Sequence, residues 1–311
     1  MILKRNFNPL KVAQYIQFEL FISLAISLLV FVAFKYQIIN TGLPFSIVGI
    51  MGSALAIFIA FRNNTSYSRW WEARTAWSGI TNACRVLGRL IITFTDSHQH
   101  QTNYDKKRSE DFKKEMIYAT IAYVHAMRIE LRKQNNWNEI EALLPNEIFS
   151  RVKNAFNIPN QIQLYIGEKI YEAMSNGTLG GFDSFQIEGQ LLALTNHQGT
   201  CERIKNTPLL RQYDFFTRIF LYAFIIVFPF AIVKDFMQLE SGYLIIPLSL
   251  LIAFIFSVMG KVGEVNEDPF ENRITDIPLS AICNTIERDL KEMLGETNLP
   301  TKIEQKDGYL P

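Results

Sequence analysis

Residues 37–61 read QIINTGLPFSIVGIMGSALAIFIAF, twenty-five consecutive positions without an ionisable side chain. A helix that crosses the hydrocarbon of a bilayer needs about 20 residues, with about 17 as a lower limit, so this stretch predicts a membrane span. Three more runs of the same kind occur. Leu20–Phe34 is apolar apart from two serines, Ile219–Val233 lies between Arg218 and Lys234, and Ser241–Gly260 is again uncharged. The first and third are slightly short. Phe18 and Glu19, or Phe215 to Arg218, extend them, with charged ends snorkelling to the interface. Four such runs in two closely spaced pairs predict two transmembrane hairpins, where buried helices of a soluble protein are the competing reading.

The charges around these runs set an orientation. Lys4, Arg5 and Lys11 precede the first span, and Arg62, Arg69 and Arg74 follow the second. The connectors near Lys35–Thr41 and Lys234–Glu240 carry one Lys each. The positive-inside rule therefore predicts a multi-pass protein of the inner (plasma) membrane with both termini cytoplasmic. A cleaved signal peptide is not expected, because no small-residue cleavage site follows the first run and the next begins at Ile38. The expected organisation is an N-terminal segment with spans one and two (1–62) and a helical cytosolic domain (63–214). Spans three and four (215–260) and a cytosolic C-terminal helix with its tail (261–311) follow.

Composition agrees. Of 311 residues 49% are hydrophobic, 24 are Phe and 20% are charged, with a formal net charge of +1. That mixture is too charged for a chain lying wholly in lipid, and its apolar blocks are foreign to an ordinary soluble enzyme. A near-zero net charge argues against nucleic acid, which selects a strongly basic face. Cys84, Cys201 and Cys283 are odd in number and form no C-x-x-C, so neither a disulfide framework nor a zinc site is signalled.

The cytosolic segment reads as helices. Trp70, Ala73, Trp77, Ile80, Leu87, Leu90 and Phe94 recur at three and four over Ser66–Thr95. The pattern starts directly after the second span, so one helix is expected to leave the membrane and continue. Further helices are predicted over Glu110–Lys133, Glu147–Phe156, Gln161–Met174 and Ser184–Ile204. A last one starts near Asp276 and Pro278, with Leu279, Ile282, Ile286 and Leu290 on one face. Glu264–Asn272 reads as irregular, and the tail beyond Gly295 as polar and extended. No stretch alternates as a strand.

Signals for catalysis are poor. There is no phosphate-binding glycine loop, H-E-x-x-H, G-x-S-x-G or dinucleotide fingerprint, so no catalytic residue, cofactor or metal is assigned. His98 and His100 with Asp96 sit in a polar loop where solvated side chains are the simpler reading. His125 and His197 fall within helical patterns, as structural histidines do. No ionisable residue lies inside a span except Glu19 at the cytosolic mouth of the first, which favours a passive pathway over a proton- or ion-coupled pump. The second span is rich in small residues, which permit close helix approach, and Ser53, Ile57 and Phe61 share one of its faces.

The stretch Phe61-Arg-Asn-Asn-Thr-Ser-Tyr-Ser-Arg-Trp-Trp-Glu-Ala-Arg74 resembles the bestrophin family in its bacterial branch. Cys201-Glu-Arg-Ile-Lys-Asn-Thr-Pro208 and Asn266-Glu-Asp-Pro-Phe270 agree in order and spacing. The resemblance implies an all-α membrane protein assembled as a homopentameric channel for small monovalent ions, chloride and other anions by family. It puts the narrow hydrophobic neck at Ser53, Ile57 and Phe61, with Ser53 a departure from the apolar residue usual there. A second, cytosolic constriction is implied at Phe185 or Ile187, and Arg69, Trp70 and Trp71 are structural motif residues. The calcium clasp of eukaryotic members is not carried over, because Glu271-Asn-Arg-Ile-Thr-Asp276 is a poor cage for a cation that wants six or more oxygens. Glu19, Arg62 and Arg69 near the inner mouth leave the sign of the permeant ion open. A cation-permeable channel of this architecture and a membrane-anchored sensor or enzyme without a pore are the alternatives.

Overall fold

A computed structural model describes residues 1–3, 9–97, 99–102 and 104–311. Lys4 and Arg5, counted above as cytoplasmic charges, and His98 lie outside the described residues. Ten α-helices run in order among the described residues. They are α1 Pro9–Tyr15, α2 Gln17–Lys35, α3 Phe45–Asp96, α4 Lys106–Leu131, α5 Asn146–Val152, α6 Ile158–Ser175, α7 Gly181–Asn206, α8 Arg211–Gln238, α9 Ile245–Asn266 and α10 Leu279–Met293. Extended pairing among them is limited to isolated bridges, Ile2 with Tyr309 and Lys306 with Tyr309.

Four helices, α2, α3, α8 and the segment Gly242–Asn266, are long and apolar enough to cross a membrane. Several bounds differ from those read above. The second span starts at Phe45, because Gln37 takes a positive φ of 56° and ends the first hairpin arm, and Pro44 then favours extended backbone before it. Helix α8 starts at Arg211, since Arg218 pairs with Asp214 one turn earlier and carries the charged turn into the helix. Likewise α9 runs on to Asn266 through a Lys261–Glu264 pair at 2.7 Å, where irregular chain was expected. In the segment between the two hairpins α5 ends at Val152, short of Phe156, and a 3₁₀ helix over Trp137–Leu143 precedes it.

The chain divides into two compact units, one of Lys4–Trp70 with Pro208–Asp268 and one of Met1–Leu3, Trp71–Thr207 and Pro269–Pro311. These divisions fall at 70/71, 207/208 and 268/269, beyond the ends of the uncharged runs. Arg62, Asp214, Arg218, Lys261, Glu264 and Glu267, which flank those runs, pair with one another inside the first unit.

In the first unit α2, α8 and α9 pack mutually, around a core of Val30, Val48, Leu55, Ile59, Phe224, Ile225, Phe228, Ala253 and their neighbours. Gly52 on α3 admits the Phe224 ring, which a Cβ there would meet at 3.0 Å. Phe224 in turn packs on Phe256 with ring centroids 4.9 Å apart.

The second unit is built on the later turns of α3. Trp77, Ile80, Leu87 and Ile91 are fully buried, together with Met116 and Ile117 of α4 and Leu290 of α10. Two glycines set these contacts. A Cβ at Gly79 would lie 2.2 Å from His197 Nε2 on α7, and one at Gly88 would lie 2.6 Å from Leu290 Cδ2. His197 thus packs as a structural histidine against α3. Cys84, Cys201 and Cys283 are unpaired and buried. Burial pushes the Cys201 and Cys283 thiols up to about 12 and raises Cys84 further still.

Helix ends follow local chemistry. Asp105 caps α4 by accepting from the Lys107 and Arg108 amides at 2.9 and 3.3 Å. Gly295, at φ +80°, closes α10, and the Glu296 amide reaches back to the Lys291 carbonyl at 3.1 Å, a Schellman closure. The tail beyond is extended. It is pinned to α10 where the Asn284 amide donates to Thr301 O at 3.1 Å and Ile303 N donates to Asn284 Oδ1 at 3.2 Å.

Helix α10 docks on α4 through His125, whose Nε2 lies 3.0 Å from Glu287 Oε2. Lys291 reaches the other carboxylate oxygen at 2.7 Å. The His125 bond first, and Lys291 after it, hold the Glu287 carboxyl down at about 2. A depressed folded-state value stabilises above the unfolded value, near 4.5, and that contribution is lost as pH falls toward 2. Its ceiling is roughly 3 kcal/mol at about 1.4 kcal/mol per pH unit. The melting temperatures of wild type and Glu287→Gln are expected to coincide near pH 2, to separate as pH rises to 4.5 and to stay apart above it; a constant difference throughout would refute it.

Candidate functional site

Helix α3 presents two unlike faces along its first four turns. Leu55 and Ile59 are 1% and 0% exposed against α8 and α9, whereas Ile57 and Phe61 are 56% and 63% exposed. Ser53 lies on the same open face as Ile57 and Phe61, and Ile50 continues it one turn earlier. The three residues read as a neck are therefore brought onto one outward stripe of the chain. Ser53 Oγ donates to the Gly49 carbonyl at 2.9 Å, so its proton is used within the helix and only its oxygen faces out. Thr65 does the same to Phe61 O at 2.9 Å.

Charge is kept off this stripe. Arg62, next after Phe61, turns inward and its side chain is 5% exposed, with Nη2 2.6 Å from Asp214 Oδ1 and 3.6 Å from Glu267 Oε2. Asn63 follows it inward and donates from Nδ2 to the Met259 carbonyl of α9 at 3.0 Å. Below Phe61 the open face continues through Asn64 and Ser68, both neutral. Glu19 accepts from Tyr222 OH at 3.4 Å. Reading the sequence alone missed Asp214 and Glu267 as partners of Arg62, since more than 150 positions separate them along the chain. An unpaired Arg at a span's end was the only available signal.

The remaining candidates are placed as follows. Arg69 and Trp70 are half-buried on α3 and Trp71 is more than half exposed. On α7, Phe185 is 74% exposed and Ile187 is 0% exposed. Two positions on an α-helix point about 200° apart, so the pair lies on opposite sides. Phe182 and Leu192 share the open side with Phe185.

Just before α10, Asp276 is buried and accepts from the Arg273 amide at 3.0 Å and from Thr275 Oγ1 at 3.4 Å. Burial raises its carboxyl above the ordinary range. Glu271 is taken up by Lys205 at 2.6 Å. Both carboxylates of the segment thus have partners within the chain.

Comparison with known proteins decides the family. The sequence pattern that defines the bacterial/fungal bestrophin proteins matches residues 7–292. The chain belongs to the bestrophin family. Among its relatives is the voltage-dependent anion channel-forming protein YneE of Salmonella typhi, 34% identical over 259 residues, 83% of this chain and 79% of that one. The voltage-dependent anion channel-forming protein sll1024 of Synechocystis is 28% identical over 242 residues, 77% of this bestrophin and 74% of that protein. A crystal structure of a bacterial bestrophin homologue from Klebsiella pneumoniae superposes with a TM-score of 0.81 at 28% identity, covering 90% of this chain and 99% of that one. Family, fold and the relatives' names point to a channel rather than an enzyme.

Proposed function

We propose that this bestrophin forms a homopentameric, multi-pass channel of the inner membrane, passing small monovalent anions passively through an apolar neck. The observation that carries the proposal is the outward stripe of Ser53, Ile57 and Phe61 on a helix whose opposite face is buried in its own subunit. One such stripe encloses nothing. Closed rotational symmetry brings identical stripes together around an axis and satisfies every copy equally. Rings of Ile and Phe then gate by dewetting, with no charged filter. In this reading both termini and the second unit are cytoplasmic, in keeping with Arg62, Arg69, Arg211, Arg218 and Lys261 at the span ends. The cytosolic constriction is assigned to Phe185, because Ile187 is buried in the core of its own subunit.

The anion preference rests on the relatives' names. A cation-permeable pore is the second reading, favoured by the absence of a basic side chain on the open face from Ile50 to Ser68. A reversal-potential measurement on purified protein in a salt gradient decides between them. A potential near the chloride equilibrium value supports the first, one near the cation value supports the second, and no flux across conditions returns the chain to a membrane-anchored sensor or enzyme.

Two further results are expected. Native mass spectrometry in mild detergent gives a pentamer, and a monomer or dimer under several gentle conditions would count against the assembly. Micromolar calcium leaves conduction unchanged, because Asp276 and Glu271 are already engaged by Arg273, Thr275 and Lys205. Chelator-reversible activation would overturn this.

A further inference from the structure

We infer that Arg62 is a positioning residue for the neck: its buried ion pairs fix the rotation of α3 that turns Ile57 and Phe61 out of their own subunit. The inference rests on the pore-lining reading above and adds to it the device that sets the neck's width.

The geometry is a clamp directly behind Phe61. Arg62 Nη2 meets Asp214, in the first turn of α8, at 2.6 Å and Glu267, the residue capping α9, at 3.6 Å. Each carboxylate is shared with a second cation. Asp214 pairs with Arg218 at 2.8 Å, and Glu267 with Arg211 at 3.7 Å. Arg218 continues the series to Glu264 at 3.8 Å, which Lys261 holds at 2.7 Å. The charges alternate, so the buried guanidinium is compensated and adds little field to the pathway. One residue on, the Asn63 amide donates to Met259 O at 3.0 Å, and a Cβ on Gly263 would come within 2.3 Å of Asn63 Oδ1. Gly263 therefore leaves the space in which Asn63 sits.

Apolar contacts such as those of Leu55 and Ile59 are non-directional and let a helix roll by small amounts. A buried guanidinium does not, because it must stay within reach of its carboxylates or be left uncompensated, and an amide–carbonyl bond has a narrow distance and angle in which it is satisfied. Two such anchors on successive residues, aimed at α8 and α9, specify one rotation. The leverage is large. Side-chain tips lie roughly 6 Å from a helix axis, so a roll of about 20° moves the Phe61 ring by about 2 Å, repeated in every copy around a shared axis. Arg62 thus acts through Phe61 while its own charge stays out of the path.

The test uses the full-length protein reconstituted in bilayers. Arg62→Met keeps length and removes charge; unitary conductance or open probability is expected to change several-fold, with Arg62→Lys returning it most of the way to the wild-type value. Arg62→His supplies a readout that a merely structural role would not move. Assembled at pH 5.5, its imidazolium faces Asp214 and Glu267 and conduction is near wild type. At pH 8 the ring is neutral and conduction shifts to that of Arg62→Met, while wild type shows no such step. Should Arg62→Met fail to assemble, Gly263→Ala displaces only the Asn63 amide and is expected to shift conduction in the same direction. Phe61→Ala in the same recordings separates the two readings. If Phe61→Ala conducts more while Arg62→His is pH-independent and Gly263→Ala matches wild type, the clamp alone is overturned. If Phe61→Ala is silent, the neck falls, and the clamp as stated falls with it.

Discussion

Shrinking Phe61 or Ile57 to alanine is expected to raise unitary conductance or open probability several-fold. Each substitution removes side-chain volume from every copy at once, at a place where apolar rings exclude water by size and chemistry. Both residues are more than half exposed in the single chain, so neither truncation leaves a cavity in its core. Leu55→Ala and Ile59→Ala supply the contrast. Those side chains are 1% and 0% exposed in the core shared with Phe224 and Phe228. Truncating them costs about 2–5 kcal/mol each and lowers the yield of assembled protein without widening the path. Ser53→Ala changes flux less than either ring mutation, because the site is already small and its hydroxyl proton is tied to Gly49 O. Single-channel recording checks all five variants. Unchanged currents for Ile57→Ala and Phe61→Ala, with larger ones for the Leu55 and Ile59 variants, would rotate the pore face away from the stripe proposed here.

The largest stability effect is expected at Trp77. Its side chain is fully buried on α3, two residues before Gly79, which admits the His197 ring. Trp77→Ala removes a large ring from the buried core of the second unit, at a cost of about 3–5 kcal/mol. In a unit of this size that corresponds to a fall in Tm on the order of 10 °C, and the fraction of chain reaching the assembled state falls with it. Thermal scanning of purified variants measures this. Wild-type melting and yield for Trp77→Ala would show that the site collapses around the loss.

The spans were legible because water and lipid discriminate charge so strongly: four runs without an ionisable residue admit few other readings. Their ends were less so. Gln37–Pro44 is as uncharged as the helix it precedes, yet the positive φ at Gln37 and the proline at 44 keep it outside. The start of α8 and the end of α9 carry charges that look like loop until Arg218 meets Asp214 and Lys261 meets Glu264. In the second unit, apolar spacing identified the faces of α3 and α10, but Gly79 and Gly88 give no periodic signal. Their meaning lies in His197 and Leu290, which arrive from other helices. Phe185 and Ile187 are both apolar and two positions apart, so composition could not separate them, although their exposures are opposite. The partners of Arg62 were invisible for the same reason: an ion pair across three helices leaves no trace in local sequence.

The burial of all three cysteines makes the native chain its own blank for chemical labelling. A thiol reacts as its thiolate and only where reagent can reach it. Cys84, Cys201 and Cys283 fail on both counts, being enclosed and held in the protonated form. A single cysteine introduced at 53, 57 or 61 would then be the sole reporter against a silent background, without first rebuilding the protein as a cysteine-free variant. Its reaction rate with a water-borne reagent, compared between residues one turn apart, would map how far the aqueous phase penetrates from either side.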